Sequence, residues 1–152
     1  MKLKLLFFIC MLVQLTTVSM AKGLKNDSTK KCNKKLNDTN VTAAIMDSEH
    51  LDDDSKVWVL AQARLETGWY TSKIAKTHNN LFGLYDSKNR RYYRFKNWQD
   101  SIKAYAELIQ YRRKSGESYP HFLQRIKYAK HPGYIDSLKC IVKTHGNKPK
   151  IN

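Results

Sequence analysis

Residues 52–68 constrain this chain most. Asp52-Asp53-Asp54-Ser55 leads into a run over residues 57–65 whose apolar side chains recur at helical spacing, and Gly68 follows. Acidic residues suit the free N–H groups and positive dipole end of a helix start. Glycine suits the left-handed residue that closes one. Val57, Leu60, Ala61 and Leu65 fall on one face. A helix so bounded and so one-sided has to bury that face, which predicts a helical core built around it.

The remaining pattern is also mostly helical. Residues 41–50 can form a short helix capped by Thr39 or Asn40, and residues 72–77 one or two further turns. Residues 81–85 and 92–95 are short aromatic stretches around the polar residues 86–90, which reads as a small hairpin. Asn97-Trp98-Gln99-Asp100 is a capping-box variant. It opens a helix to about Arg113, with Ile102, Tyr105, Ala106 and Ile109 inward and Gly116 beyond its end. Tyr119-Pro120 starts another, since proline is favoured in a first turn, with Phe122, Leu123 and Ile126 facing the core. His131-Pro132-Gly133 breaks the chain before a last helix over residues 134–144, predicted to carry Cys140 inward with Leu138 and Ile141. The fold class is mainly α, with five or six helices and a small β-hairpin lobe.

The N-terminus reads as an address. Lys2 and Lys4 precede an apolar stretch over residues 5–13, and Ser19-Met20-Ala21 offers small residues where a signal peptidase cuts. The stretch falls short of the roughly 20 apolar residues that span a bilayer. Residues 1–21 are therefore expected to be a signal peptide, with no membrane span after cleavage. Residues 22–40, rich in lysine and nearly free of apolar side chains, read as a basic polar leader, and residues 41–147 as the folded domain. Cleavage removes two lysines from a chain of formal net charge +15. A balance that basic implies an anionic partner or serves solubility alone, and export argues against nucleic acid. Cys32 and Cys140 remain, and in an oxidising compartment they form a candidate disulfide; two unrelated thiols are the alternative. No Cys/His spacing suggests zinc, and neither a metal nor another cofactor is expected.

Two segments carry chemistry: Ala61-Gln62-Ala63-Arg64-Leu65-Glu66-Thr67-Gly68-Trp69 and, ten residues on, Asn79-Asn80-Leu81-Phe82-Gly83. Together they resemble the signature stretches of the glucosaminidase family of wall hydrolases. The likeness continues through Tyr93-Arg94-Phe95, Trp98-Gln99-Asp100-Ser101 and Tyr128-Ala129-Lys130-His131-Pro132-Gly133-Tyr134. The resemblance implies a lysozyme-like fold and an exported bacterial enzyme, periplasmic or secreted and monomeric. It further implies that the enzyme cuts the β-1,4 backbone of peptidoglycan strands after N-acetylglucosamine.

Glu66 stands out on physical grounds as well. It lies in the last turn of the central helix, where the dipole disfavours a carboxylate, and Leu65, Trp69 and nearby aromatics could desolvate it. A glycosidase needs such a raised acid to protonate the glycosidic oxygen. The second group is open: Asp86, the only acid of the short lobe, is a candidate base, and the substrate's N-acetyl group or a positioned water is the alternative. Asp100 is better explained as the helix-start partner of Asn97. The resemblance implies a tyrosine near the acid, for which Tyr128 is preferred over Tyr134. It also implies that Asn79 and Asn80 hold the wall of the sugar groove. Trp69, Phe82, Tyr92 and Tyr93 are candidate sugar-stacking residues, each also explicable by packing. A muramidase or lytic transglycosylase on the same fold, and a wall-binding module without catalysis, are the competing readings.

Overall fold

A computed structural model describes residues 34–148. The expected signal peptide, the leader up to residue 33 and Cys32 lie outside the described residues. Among those described there are six α-helices: α1 Asp38–Met46, α2 Lys56–Thr67, α3 Lys73–His78, α4 Asp100–Leu108, α5 Tyr119–Arg125 and α6 Tyr134–Thr144. A two-stranded antiparallel hairpin, β1 Tyr85–Asp86 and β2 Arg91–Tyr92, lies between α3 and α4, with Tyr85 paired to Tyr92 and Asp86 to Arg91. No helix is long and apolar enough to cross a membrane among the described residues.

The central helix forms where its start and stop signals place it. A 3-10 turn at Asp53–Ser55 leads into α2. Gly68, at φ +53°, closes it by donating to the Leu65 carbonyl while Trp69 N–H reaches the Arg64 carbonyl. Its burial is broader than one face. Val59, Leu60, Ala61, Gln62, Ala63, Arg64 and Thr67 are all buried, whereas Val57 and Leu65 are half-buried. The reason is that α1 and α6 both pack on α2, so it loses its solvent face along much of its length.

Helix α1 starts three residues before the predicted position. Asn37 is its cap, its side-chain oxygen accepting from Asn40 N–H at 2.8 Å, and Asn40 lies inside the helix. The cause is Asp38, buried in an ion pair with Arg64. Residues 34–40, read as solvated leader, thus belong to the fold, and the Trp98 indole further pins them by donating to the Lys34 carbonyl at 2.8 Å. α4 gives way at Leu108 to a 3-10 turn, Gln110–Arg112. Asp100 reaches back to Asn97 N–H at 3.2 Å, as its cap position predicts. Cys140 does not face inward: it is an exposed free thiol, two residues beyond the buried Leu138 and so turned about 200° round the helix.

Candidate active site

Glu66 occupies the last turn of α2 at the side of an open cleft of about 420 Å³. The walls come from the loop after α3 (Phe82, Gly83, Leu84), from Tyr85 of the hairpin, from Ile109 and Arg112, and from residues 126–129. Glu66 is the only carboxylate among these lining residues. Burial raises its pKa above the ordinary glutamate value, and a weaker opposing pull comes from the hydroxyl of Tyr134. The dipole at the end of α2 acts in the same direction as burial.

The contact that orients Glu66 is made by Tyr134, the first residue of α6. Its hydroxyl donates to Glu66 Oε1 at 2.7 Å. Gln62, one turn back on α2, donates Nε2 to the same hydroxyl at 3.2 Å, leaving the hydroxyl's own hydrogen for Glu66. Gln62 Oε1 in turn accepts from Tyr105 and Tyr119, each at 2.7 Å. Because Oε1 is held as an acceptor, a proton on Glu66 belongs on Oε2. That oxygen lies beside Gly83, where an added Cβ would come within 3.9 Å of it, and Gly83 has φ +61°. The left-handed φ favours glycine there, while the 3.9 Å approach would be an ordinary contact for a β-carbon. Replacing Tyr134 by Phe removes the donor that lowers the Glu66 pKa, so the high-pH limb of the rate profile is expected to move to higher pH as the rate falls. An unmoved limb in a pH–rate series would contradict this orienting role.

Tyr128, preferred in the sequence, instead donates its hydroxyl to the Phe82 carbonyl at 3.1 Å while its ring lines the cleft. Asn80 is buried and its amide is used on the loop backbone. It donates to Leu84 O (2.9 Å) and Tyr93 O (3.1 Å), and accepts from Leu84 N–H (2.9 Å) and Phe82 N–H (3.4 Å). Asn79, left-handed at the end of α3, donates to the carbonyls of Phe95 and Lys96. Together they set the wall that carries Phe82 and Gly83. Phe82 itself is buried against Tyr105, with ring centroids 4.4 Å apart.

Three expected site residues stand away from the cleft lining. Gly68, Trp69 and Tyr70 are successively left-handed, and this turn carries the Trp69 ring onto Arg64 and His145 rather than towards Glu66. Tyr93 stacks on Phe95 and borders a different cavity together with Asp86. Asp86 follows cleft-lining Tyr85 in a strand, so alternation turns it to the opposite face. Its carboxylate accepts from Asn89 Nδ2 at 2.6 Å and from the N–H groups of Lys88 and Asn89, and these bonds, led by the Asn89 side chain, hold its pKa low. The sequence reading missed Gln62 and the paired Tyr105 and Tyr119 hydroxyls, although the i, i+4 spacing of Gln62 and Glu66 was a signal for the first. No cluster of three His, Cys, Asp or Glu side chains suited to a metal occurs among the described residues.

The family described as mannosyl-glycoprotein endo-beta-N-acetylglucosaminidase matches residues 42–147, which include the whole cleft. The chain belongs to the glucosaminidase family. Among solved structures, the catalytic domain of the autolysin Auto from Listeria monocytogenes is similar, with a TM-score of 0.55 and 16% identity, covering 86% of this chain and 97% of that one. At that identity the likeness speaks for the fold, a mainly α domain with a small hairpin. No curated protein matches the chain. Within this glucosaminidase domain, α2 supplies the Glu66 carboxyl and α6 the tyrosine hydrogen-bonded to it, while the loop after α3 supplies the glycine beside it.

Proposed function

We propose that this glucosaminidase-family chain is an exported hydrolase of bacterial peptidoglycan. In this reading it cuts the β-1,4 bond after N-acetylglucosamine, with Glu66 as general acid. The observation that carries the reading is a raised-pKa carboxyl lining an open cleft, with one oxygen fixed by Tyr134 and the other beside Gly83. Protonated Oε2 donates to the glycosidic oxygen as the bond from the anomeric carbon breaks, and positive charge develops on the sugar ring. Water then adds to the anomeric carbon, and the Glu66 carboxylate recovers a proton.

With one carboxylate in the cleft lining, the developing charge is met by the substrate's own acetamido oxygen or by water, rather than by Asp86. Asp86→Asn is accordingly expected to change the rate less than about threefold, against the 10²–10⁴-fold that a general acid or base contributes. A loss of that larger size in a wall-clearing assay would restore Asp86 as the base. The lone acid also favours a second reading, a lytic transglycosylase, in which the sugar's own hydroxyl replaces water. Mass analysis of purified peptidoglycan after digestion separates these readings. Reducing N-acetylglucosamine ends support the proposal, anhydro-muramic ends support the second reading, and intact strands contradict both.

A further inference from the structure

Two cations share the cleft with Glu66. Arg112, in the 3-10 turn after α4, and Lys127, just beyond α5, both line it. The nearby arginines are matched with acids: Arg113 with Asp52 and Asp54, Arg125 with Glu117. Arg112 and Lys127 form no ion pair among the described residues. Unpaired lysines and arginines are ordinary on the convex surface of a chain this basic. Here they stand in a concavity that already holds the candidate acid.

Lys127 sits in a left-handed backbone conformation. α5 closes as α2 does: Lys127 N–H reaches the Gln124 carbonyl and Tyr128 N–H the Leu123 carbonyl, both at 3.0 Å, with Lys127 at φ +53°. α2 and α6 put Gly68 and Gly146 in the corresponding left-handed positions. A β-carbon is disfavoured there, although Asn79 after α3 and Trp69, Tyr70 and Arg90 also adopt this region. A second cavity of about 400 Å³ shares Lys127 and Ala129 with the cleft and adds Lys130 and His131, extending the basic lining. The cleft also presents Tyr85, 50% exposed and edge-on to the 45% exposed ring of Tyr92, an amphipathic ring available to a sugar face.

We propose that Arg112 and Lys127 form an anionic subsite that binds a carboxylate borne by the glycan beside the scissile bond. The cleft then prefers acid-bearing wall glycan over neutral N-acetylglucosamine polymer. This rests on the reading of the cleft as a glycan site. Two sources offer the same chemistry, the lactyl group of muramic acid and the peptide stem attached to it.

The test measures binding by calorimetry to the Glu66→Gln protein, which removes turnover. The three probes are a neutral chitin tetrasaccharide, a stem-free wall tetrasaccharide with free lactyl carboxylates, and the stem-bearing form. At low salt the acid-bearing glycans are expected to bind about tenfold more tightly than the neutral one, with the preference shrinking as salt rises. Adding Arg112→Gln and Lys127→Gly should collapse that preference, while Lys127→Gly alone leaves the melting temperature unchanged or raised. Preference for both acidic probes assigns the lactyl source, and preference for the stem-bearing one alone assigns the stem. Equal binding of all three, no binding, or a preference that survives in the variant overturns the subsite. If the preference is present but the parent leaves peptidoglycan uncut, the subsite stands and the hydrolase reading fails.

Discussion

Glu66→Gln is expected to lower the rate of wall clearing by about 10²–10⁴-fold, the usual contribution of a general acid, while leaving the protein at least as stable as the parent at neutral pH. Glutamine keeps the shape, and its carbonyl oxygen can still accept from Tyr134. What it lacks is the transferable proton. The stability half follows from the direction of the Glu66 shift, which burial drives upward from the ordinary 4.5. Below that ordinary value Glu66 is protonated in folded and unfolded chains alike. As pH rises through the raised folded-state pKa, ionisation costs the folded state more than the unfolded one, and stability is lost across that window. Glutamine cannot ionise and removes this loss. Melting temperatures of the two proteins should therefore diverge as pH rises, in favour of the variant. A variant that clears walls as fast as the parent, or melts lower at neutral pH, would refute the assignment.

The largest effect on stability is expected at Arg64, fully buried in α2. Its Nε and Nη2 donate to the two oxygens of Asp38 at 2.9 and 3.1 Å. Nη1 donates to the carbonyl of Gly146 at 2.9 Å and Nη2 to that of Lys148 at 2.7 Å. One side chain thus ties α1 and the end of α6 to the central helix, with Trp69 stacked over its guanidinium at 5.2 Å. Arg64→Met takes from the buried Asp38 carboxylate the guanidinium that bonds both of its oxygens, and strips both carbonyls of this donor. Losses of this kind run to about 3–5 kcal/mol, on the order of 10 °C or more in melting temperature for a domain of this size. Removing both charges, with Asp38→Leu and Arg64→Met, should recover part of the loss. Equilibrium unfolding in urea measures both, and a single-variant cost below about 1 kcal/mol would contradict the clamp.

Arg64 also shows where sequence reading stops. The bounds of α2 are legible because its signals are local, an acidic start and a glycine stop. The hairpin is legible for the same reason. A helix covered by α1 and α6 loses the one-sided pattern that periodicity detects, so a buried arginine there looks like one more cation in a basic chain. The start of α1 followed from it, since Asp38 had to be inside the helix to reach Arg64. In the cleft, the place of Glu66 in the last turn of α2 was readable from its helical position. Its partner was not: Tyr128 and Tyr134 are six residues apart, and which hydroxyl arrives depends on the turn at Lys127 and the direction of α6. The Gln62–Tyr134 bond spans 72 residues and has no local signature. Asp86 and Cys140 were misplaced for a different reason. Strand alternation beside Tyr85 and helical period beside Leu138 each carry the correct facing, once the neighbour that faces inward is known.

In the proposed function Glu66 is a carboxyl that the fold keeps protonated to higher pH than an ordinary glutamate. Carbon-13 labelling of the glutamate side chains, with Glu66→Gln to assign the resonance, allows the titration of that one group to be followed by NMR in the folded protein. The expected midpoint lies above 4.5, and it should rise further in Tyr134→Phe. A midpoint at or below 4.5, or one unmoved by loss of the Tyr134 hydroxyl, would contradict Glu66 as a general acid oriented by Tyr134.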